Sequence, residues 1–173
     1  MSCLAVAGEF PGVPTDEGLV DSVAYHLVRQ PECYQLLLAP NLYGDILSDL
    51  AAAIAGGLGL APSVSLGQGT AIAEPVHGAA PDIAGQGIAN PLGAILSAAL
   101  LARNAWDRPD VADAIEAAVD EVLRQGQRTP DLAGPGERTV SSQEMGEAVV
   151  AASTEEPVAP NSDGPAVASG RPN

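Results

Sequence analysis

Apolar residues recur at helical spacing in five stretches of the chain and condense into short runs in two others, and this pattern predicts its elements. Residues 16–30, DEGLVDSVAYHLVRQ, place Leu19, Val23 and Leu27 on one face, with acids at the front and Arg29 at the back, as a helix dipole prefers. Pro31 ends that helix. The run YQLLLAP, residues 34–40, is short, apolar and closed by proline, and is expected to be a buried strand. Helical spacing returns from Gly44 to about Ala55, with Gly56, Gly57 and Gly59 as a stop. SVSLG reads as a second strand, and residues 67–90, dense in Gly, Pro and Ala, as a long loop of the kind that binds something. Residues 91–103 form an apolar helix opened by proline, and 109–125 a more amphipathic one. After a loop containing TPDLAG, Ser141 or Ser142 caps a last short helix. The sequence thus predicts a helix-rich α/β unit over residues 1–153 and a disordered tail over 154–173, where too few large apolar groups remain to offset ordering entropy.

Composition sharpens the picture of the interior. Hydrophobic residues make up 46% of the chain but aromatics only 3%, so Ala, Leu and Val must fill the core through close helix contacts. The formal charge of −15 opposes the phosphate neutralisation that nucleic-acid binding requires and disfavours anionic membrane surfaces. No apolar run approaches the roughly 20 residues of a membrane span. Cys3 and Cys33 lack both zinc-site spacing and the density of a disulfide scaffold, and with no convincing signal peptide at the N-terminus a cytoplasmic protein is expected. All seven basic residues are Arg, so no lysine ammonium is available from this chain or a second copy of it.

Two groups of residues could carry chemistry. Asp45 and Asp49, four apart on a helix, project from one face and repel by about 0.2–0.5 kcal/mol, a cost that a divalent cation would reverse. Oxygen ligands of this kind suit Mg²⁺ or Mn²⁺ rather than zinc. Spacing alone also fits two solvated acids near a helix N-terminus. The loop EPVHGAAPDIAGQGIANP, Glu74 to Pro91, surrounds His77, Asp82 and Asn90 with small residues that let a ligand approach the backbone, and an acid there can accept from a ribose diol. On composition alone it is equally a surface loop with a solvated Asp82. His26, beside Tyr25, has no second histidine placed to share a metal and reads as a packing or interface residue.

The segments NLYGDILSDLAAAIAGGLGLAPS and GLVDSVAYHLVRQPE closely resemble the metal-binding segments of the isocitrate/isopropylmalate dehydrogenases, and the loop from Glu74 resembles their adenosine-binding loop. The resemblance runs from about Glu9 to Ala152 and covers the C-terminal portion of the two-domain, isopropylmalate-dehydrogenase-like fold, so an incomplete fold is expected. It implies that Asp45 and Asp49 hold a Mg²⁺ or Mn²⁺ ion joined across a dimer interface by Asp21. It further implies that His77, Gly78, Ala79 and Ala80 line the adenosine, that Asp82 accepts from the ribose and Asn90 contacts the adenine, and that Glu74 lies toward the nicotinamide. A carboxylate at Asp82 favours NAD, because it would repel the 2′-phosphate of NADP. Gln86 stands where the family often has lysine, which removes a charge beside the loop.

The activity implied is metal- and NAD-dependent oxidative decarboxylation of a 2-hydroxydiacid, isocitrate ranking slightly ahead of 3-isopropylmalate or tartrate. Family segments carrying the substrate-binding arginines, a tyrosine acid and a lysine base have no counterpart in this sequence, so no catalytic set is complete; Asp45 is left as a possible proton relay. A lost acid or base typically costs about 10² to 10⁴ in rate, and negligible turnover is expected of the chain alone. The alternative is a non-catalytic NAD- or metal-binding regulatory subunit associating with a complete relative. Homo-oligomerisation or association with such a relative is expected on either reading.

Overall fold

The structure, a computed structural model, describes residues 3–154. Its helices are α1 (Cys3–Ala7), α2 (Val20–Arg29), α3 (Asn41–Ile54), α4 (Leu92–Asn104), α5 (Pro109–Arg124) and α6 (Ser142–Thr154). Strands β1 (Pro62–Leu66) and β2 (Ala71–Pro75) form one antiparallel hairpin. Among the described residues no helix is long and apolar enough to cross a membrane.

The core lies where α4, α5 and α6 pack in sequence and the hairpin lies against α4. Leu92, Ala118, Val119, Val122, Met145 and Val149 form its buried centre, bordered by Leu60 and Leu132. A second cluster is built from Ala99, Ala102 and Ala112, so alanine contacts do replace aromatic anchors. Gly93 shows how close the approach is: a Cβ there would sit 3.0 Å from the Gly59 carbonyl oxygen and 3.4 Å from Pro75 Cβ. Buried Ser97 ties the layers together, donating to the Gly93 carbonyl at 2.7 Å and accepting from the Ser63 amide at 3.3 Å.

The helix ends follow local chemistry. Pro109 opens α5, where its missing N–H costs nothing. Ser141 Oγ accepts from the Glu144 amide at 3.2 Å while the Glu144 carboxylate accepts from the Ser141 amide at 2.7 Å, a reciprocal capping box before α6. The Ser141 amide, and after it the Ser141 hydroxyl, hold the Glu144 carboxyl below its ordinary range. Gly56 and Gly57, at φ 122° and 131°, turn the chain out of α3 as their position predicts. That helix begins at Asn41 rather than Gly44, with the Gly44 amide bonded to the Pro40 carbonyl at 2.8 Å. α6 runs through Thr154, and the rest of the expected tail lies outside the described residues.

Two expectations need correction. Residues 67–90 are not all loop, because Ala71–Pro75 pairs with β1 in the register Val64↔Ala73, and the Gly67 amide closes the turn onto the Thr70 carbonyl at 2.9 Å. Ala71, Ala73 and Pro75 face inward at half burial while Ile72 and Glu74 are exposed. The alternation is genuine but carried by small residues, which hid it. The expected buried strand at 34–40 is absent: Gln35 to Ala39 adopts neither helix nor strand, and Leu36 is 84% exposed. No neighbouring strand is present among the described residues to pair with it.

Candidate functional site

Asp45 and Asp49 stand on α3, four residues apart and both exposed. Ser48 Oγ donates to the Asp45 carbonyl at 3.0 Å, which leaves the carboxylate itself uninvolved. Among the described residues neither carboxylate joins a hydrogen bond or ion pair. Leu47, between them in sequence, points inward and is buried, so the helix phase that seats Leu47 sends both acids outward. Asp21 lies in the first turn of α2, which packs beside α3, and its Oδ1 accepts from the Ser22 amide at 2.8 Å.

These three acids do not meet within one chain. Among the described residues no group of three His, Cys, Asp or Glu side chains is placed to hold a metal ion. The donor chemistry at Asp45 and Asp49 nonetheless fits a hard divalent cation, with two accessible, unpaired carboxylates on one face. Remaining ligands would come from water, substrate or another chain.

The loop after β2 presents its residues in a shallow surface. Glu74 is exposed on β2 opposite Ser63. His77 is half-buried, its Nδ1 3.0 Å from the Gly78 carbonyl oxygen, a contact that requires a proton on Nδ1. Gly78, Ala79 and Ala80 are exposed, and Ala80 adopts a left-handed conformation at φ 43° and ψ 61° before the single turn Pro81–Ile83. Such a conformation is unusual for a residue with a Cβ. Asp82 sits in that turn with an exposed carboxylate, while its carbonyl accepts from Gln86 Nε2 at 2.8 Å. Gln86, standing where a lysine would bring charge, thus braces the turn. Asp82 and the backbone around it fit a ribose diol as acceptor and close-approach surface.

Asn90 is placed differently. It is 8% exposed; its Oδ1 accepts from the Leu92 amide at 3.0 Å and its Nδ2 donates to Asp131 Oδ2 at 3.1 Å. Asp131 in turn accepts from the buried Thr129 hydroxyl at 2.6 Å. Here the side chain fixes the loop to the start of α4 and to residues 129–131. The loop is fastened a second time, because Ser142 Oγ donates to the Ala89 carbonyl and the Ser142 amide to the Gly87 carbonyl at 2.8 Å. The Thr129–Asp131–Asn90 chain was not legible in TPDLAG, where Thr and Asp also suit an ordinary turn.

A recess of about 440 Å³ lies beyond the end of α5, apart from both groups, lined by Gln125, Gln127, Arg138, Val140 and Glu144 among others.

Comparison with known proteins places this geometry. The model of the isocitrate/isopropylmalate dehydrogenase family matches residues 2–149. A protein named 3-isopropylmalate dehydrogenase 2 from Dechloromonas aromatica is 53% identical over 148 residues, covering 85% of this chain and 41% of that protein. A 3-isopropylmalate dehydrogenase from a Synechococcus strain is 52% identical over 149 residues, covering 86% and 40%. The crystal structure of isocitrate dehydrogenase from Methylococcus capsulatus superposes with a TM-score of 0.83 at 41% identity, covering 87% of this chain and 44% of that one. The chain therefore spans about two-fifths of the length of the curated relatives it matches. With its helix-rich α/β architecture shared and nearly all its described residues matched, the chain belongs to the isocitrate/isopropylmalate dehydrogenase family, of whose length it represents a part.

Proposed function

We propose that this chain supplies the metal-binding acids and the adenosine-binding loop for oxidative decarboxylation of a 2-hydroxydiacid by NAD, with Mg²⁺ or Mn²⁺ as the cation. The observation that carries this reading is the pair Asp45 and Asp49, held outward by one helix face with no partner of their own among the described residues. Asp21 would complete the cation site from the α2 of a second copy. Of the substrates, 3-isopropylmalate moves ahead of isocitrate, since the relatives near 50% identity bear that name. The groups that grip the substrate would be contributed outside the residues this chain spans.

A bound cation would place positive charge where the substrate oxygen becomes anionic, and NAD would take up the hydride. The chain's own residues bind and orient. Asp82 accepts from the ribose, and its charge disfavours a 2′-phosphate. Gly78, Ala79 and Ala80 offer backbone without side-chain bulk, His77 shapes the loop beside them, and Glu74 extends toward the nicotinamide. Asn90 contributes by fixing the loop's end to α4 and Asp131, where the loop would contact the adenine. Asp45 can pass a proton between substrate hydroxyl and water, which is a slow substitute for a placed base.

Titration of the purified chain with Mn²⁺, followed by loss of the free-ion electron paramagnetic resonance signal, tests the cation site. Saturable uptake is expected, weakened at least about tenfold in Asp45→Asn and in Asp49→Asn, since the number of ligand charges sets divalent-cation affinity. Uptake unchanged in both variants would overturn the assignment.

A further inference from the structure

Between Ala80 and Gly87 the loop closes on itself through its own backbone. The Ile83 amide donates to the Ala80 carbonyl at 3.1 Å, the Ala84 amide to the Pro81 carbonyl at 3.3 Å and the Gln86 amide to the Ile83 carbonyl at 3.1 Å. The Asp82 carbonyl has no backbone donor in this set and accepts instead from Gln86 Nε2 at 2.8 Å. A side chain thus supplies the bond that would complete the turn. Gln86 is flanked by Gly85 at φ 77° and Gly87 at φ 68°, and a Cβ at either position would meet nothing within 4 Å. Conformation rather than space therefore calls for glycine at both places, and the two left-handed residues bracket the side chain that returns across the turn.

The brace bears on the other end of Asp82. Its carboxylate is exposed and, among the described residues, joins no hydrogen bond or ion pair. Between Arg29 and Arg103 the sequence contains neither Lys nor Arg, and the group that holds the turn is an uncharged amide. The carboxylate is therefore fixed through its own backbone and keeps its whole charge. A fixed acceptor loses less freedom when a ribose diol binds, and an undiminished charge repels a 2′-phosphate more strongly. An ammonium in the same place would offset that charge, so the neutrality of the side chain matters as much as its reach. On the reading of this loop as adenosine-binding, we propose that Gln86 is a positioning residue that sets cofactor preference through Asp82. Its neutral amide fixes the turn that presents the carboxylate, so that a free 2′-hydroxyl is accepted and a 2′-phosphate refused.

The test is calorimetric titration of the full 173-residue chain and its position-86 variants with NAD and with NADP. Gln86→Lys keeps a donor of similar reach and adds charge: NAD affinity is expected to stay within about twofold while the preference for NAD over NADP falls by about threefold or more. Gln86→Leu removes the donor without adding charge and is expected to weaken NAD binding by about threefold or more, the low end for a hydrogen bond in an exposed turn. Asp82→Ala separates this effect from a bond that merely stabilises the fold. That variant keeps the carbonyl that Gln86 holds and lacks the carboxylate, so adding Gln86→Leu to it should cost no further NAD affinity. An unchanged preference in Gln86→Lys, or an undiminished effect of Gln86→Leu with alanine at position 82, would overturn the proposal. NAD binding indifferent to position 86 would overturn it too and leave the adenosine-binding reading standing, whereas a folded, unaltered chain that binds neither dinucleotide would remove that reading and this proposal with it.

Discussion

At the scale of single residues, the ion pairs among the described residues lie on or beside α4 and α5, away from the candidate acids and loop. Arg108 donates two hydrogen bonds to the Asp110 carboxylate at the start of α5, at 2.8 and 2.7 Å, and holds its pKa down to about 2. Because the folded value lies below the unfolded one, this pair favours the fold above the ordinary Asp range, and its contribution disappears as pH falls toward 2. Carbon-detected NMR of Asp110 is expected to show a midpoint near 2, returning to the ordinary carboxylate range in Arg108→Ala; an unchanged midpoint in that variant would disprove the pairing. Asp21, Asp45, Asp49 and Asp82, the acids the sequence singles out, all lie on the surface with exposed side chains. Asn90 shows the limit of reading residues singly. Its type and place suggest a ligand contact, yet its amide bonds to Leu92 and Asp131, and a partner 41 positions away leaves no local trace in sequence.

At the scale of elements, the helices were readable because their apolar spacing and capping signals are local, while the strands depended on company. β2 was hidden because alanine and glutamate are poor strand formers and small side chains carry its inward face, the feature that lets α4 approach. Gln35–Ala39 has the apolar run of a strand but, among the described residues, pairs with no other segment. The glycine turn after α3 approaches the end of the candidate loop very closely. A Cβ on Gly59 would fall 2.6 Å from Asp131 Oδ2 and 2.8 Å from Asn90 Cβ. Gly59→Ala is therefore expected to cost about 1 to 3 kcal/mol in urea unfolding, as overpacking does, and to detach Asn90 from Asp131. Its Asn90 side-chain NH₂ resonances should shift toward solvent-exposed values; a variant as stable as the parent, with those resonances unmoved, would contradict the geometry.

At the scale of the whole molecule, the chain divides into a packed region and an open one. The hairpin with α4, α5 and α6 encloses the two buried clusters and carries the candidate loop, fastened at Asn90 and at Ser142. The α2–α3 region carries the acids and exposes large apolar side chains from Leu19 to Leu58. The chain spans about two-fifths of the length of the curated relatives it matches, and its exposed apolar side chains lie on the α2–α3 side. We propose that the hairpin with α4, α5 and α6 binds the dinucleotide on its own, and calorimetric titration of the purified chain with NAD measures that binding. Saturable heat is expected for NAD, with weaker binding of NADP and a loss of at least about tenfold in affinity in Asp82→Ala, the usual scale for a charge-assisted hydrogen bond. A folded chain that binds neither dinucleotide, or that binds NAD equally well with alanine at position 82, would contradict it.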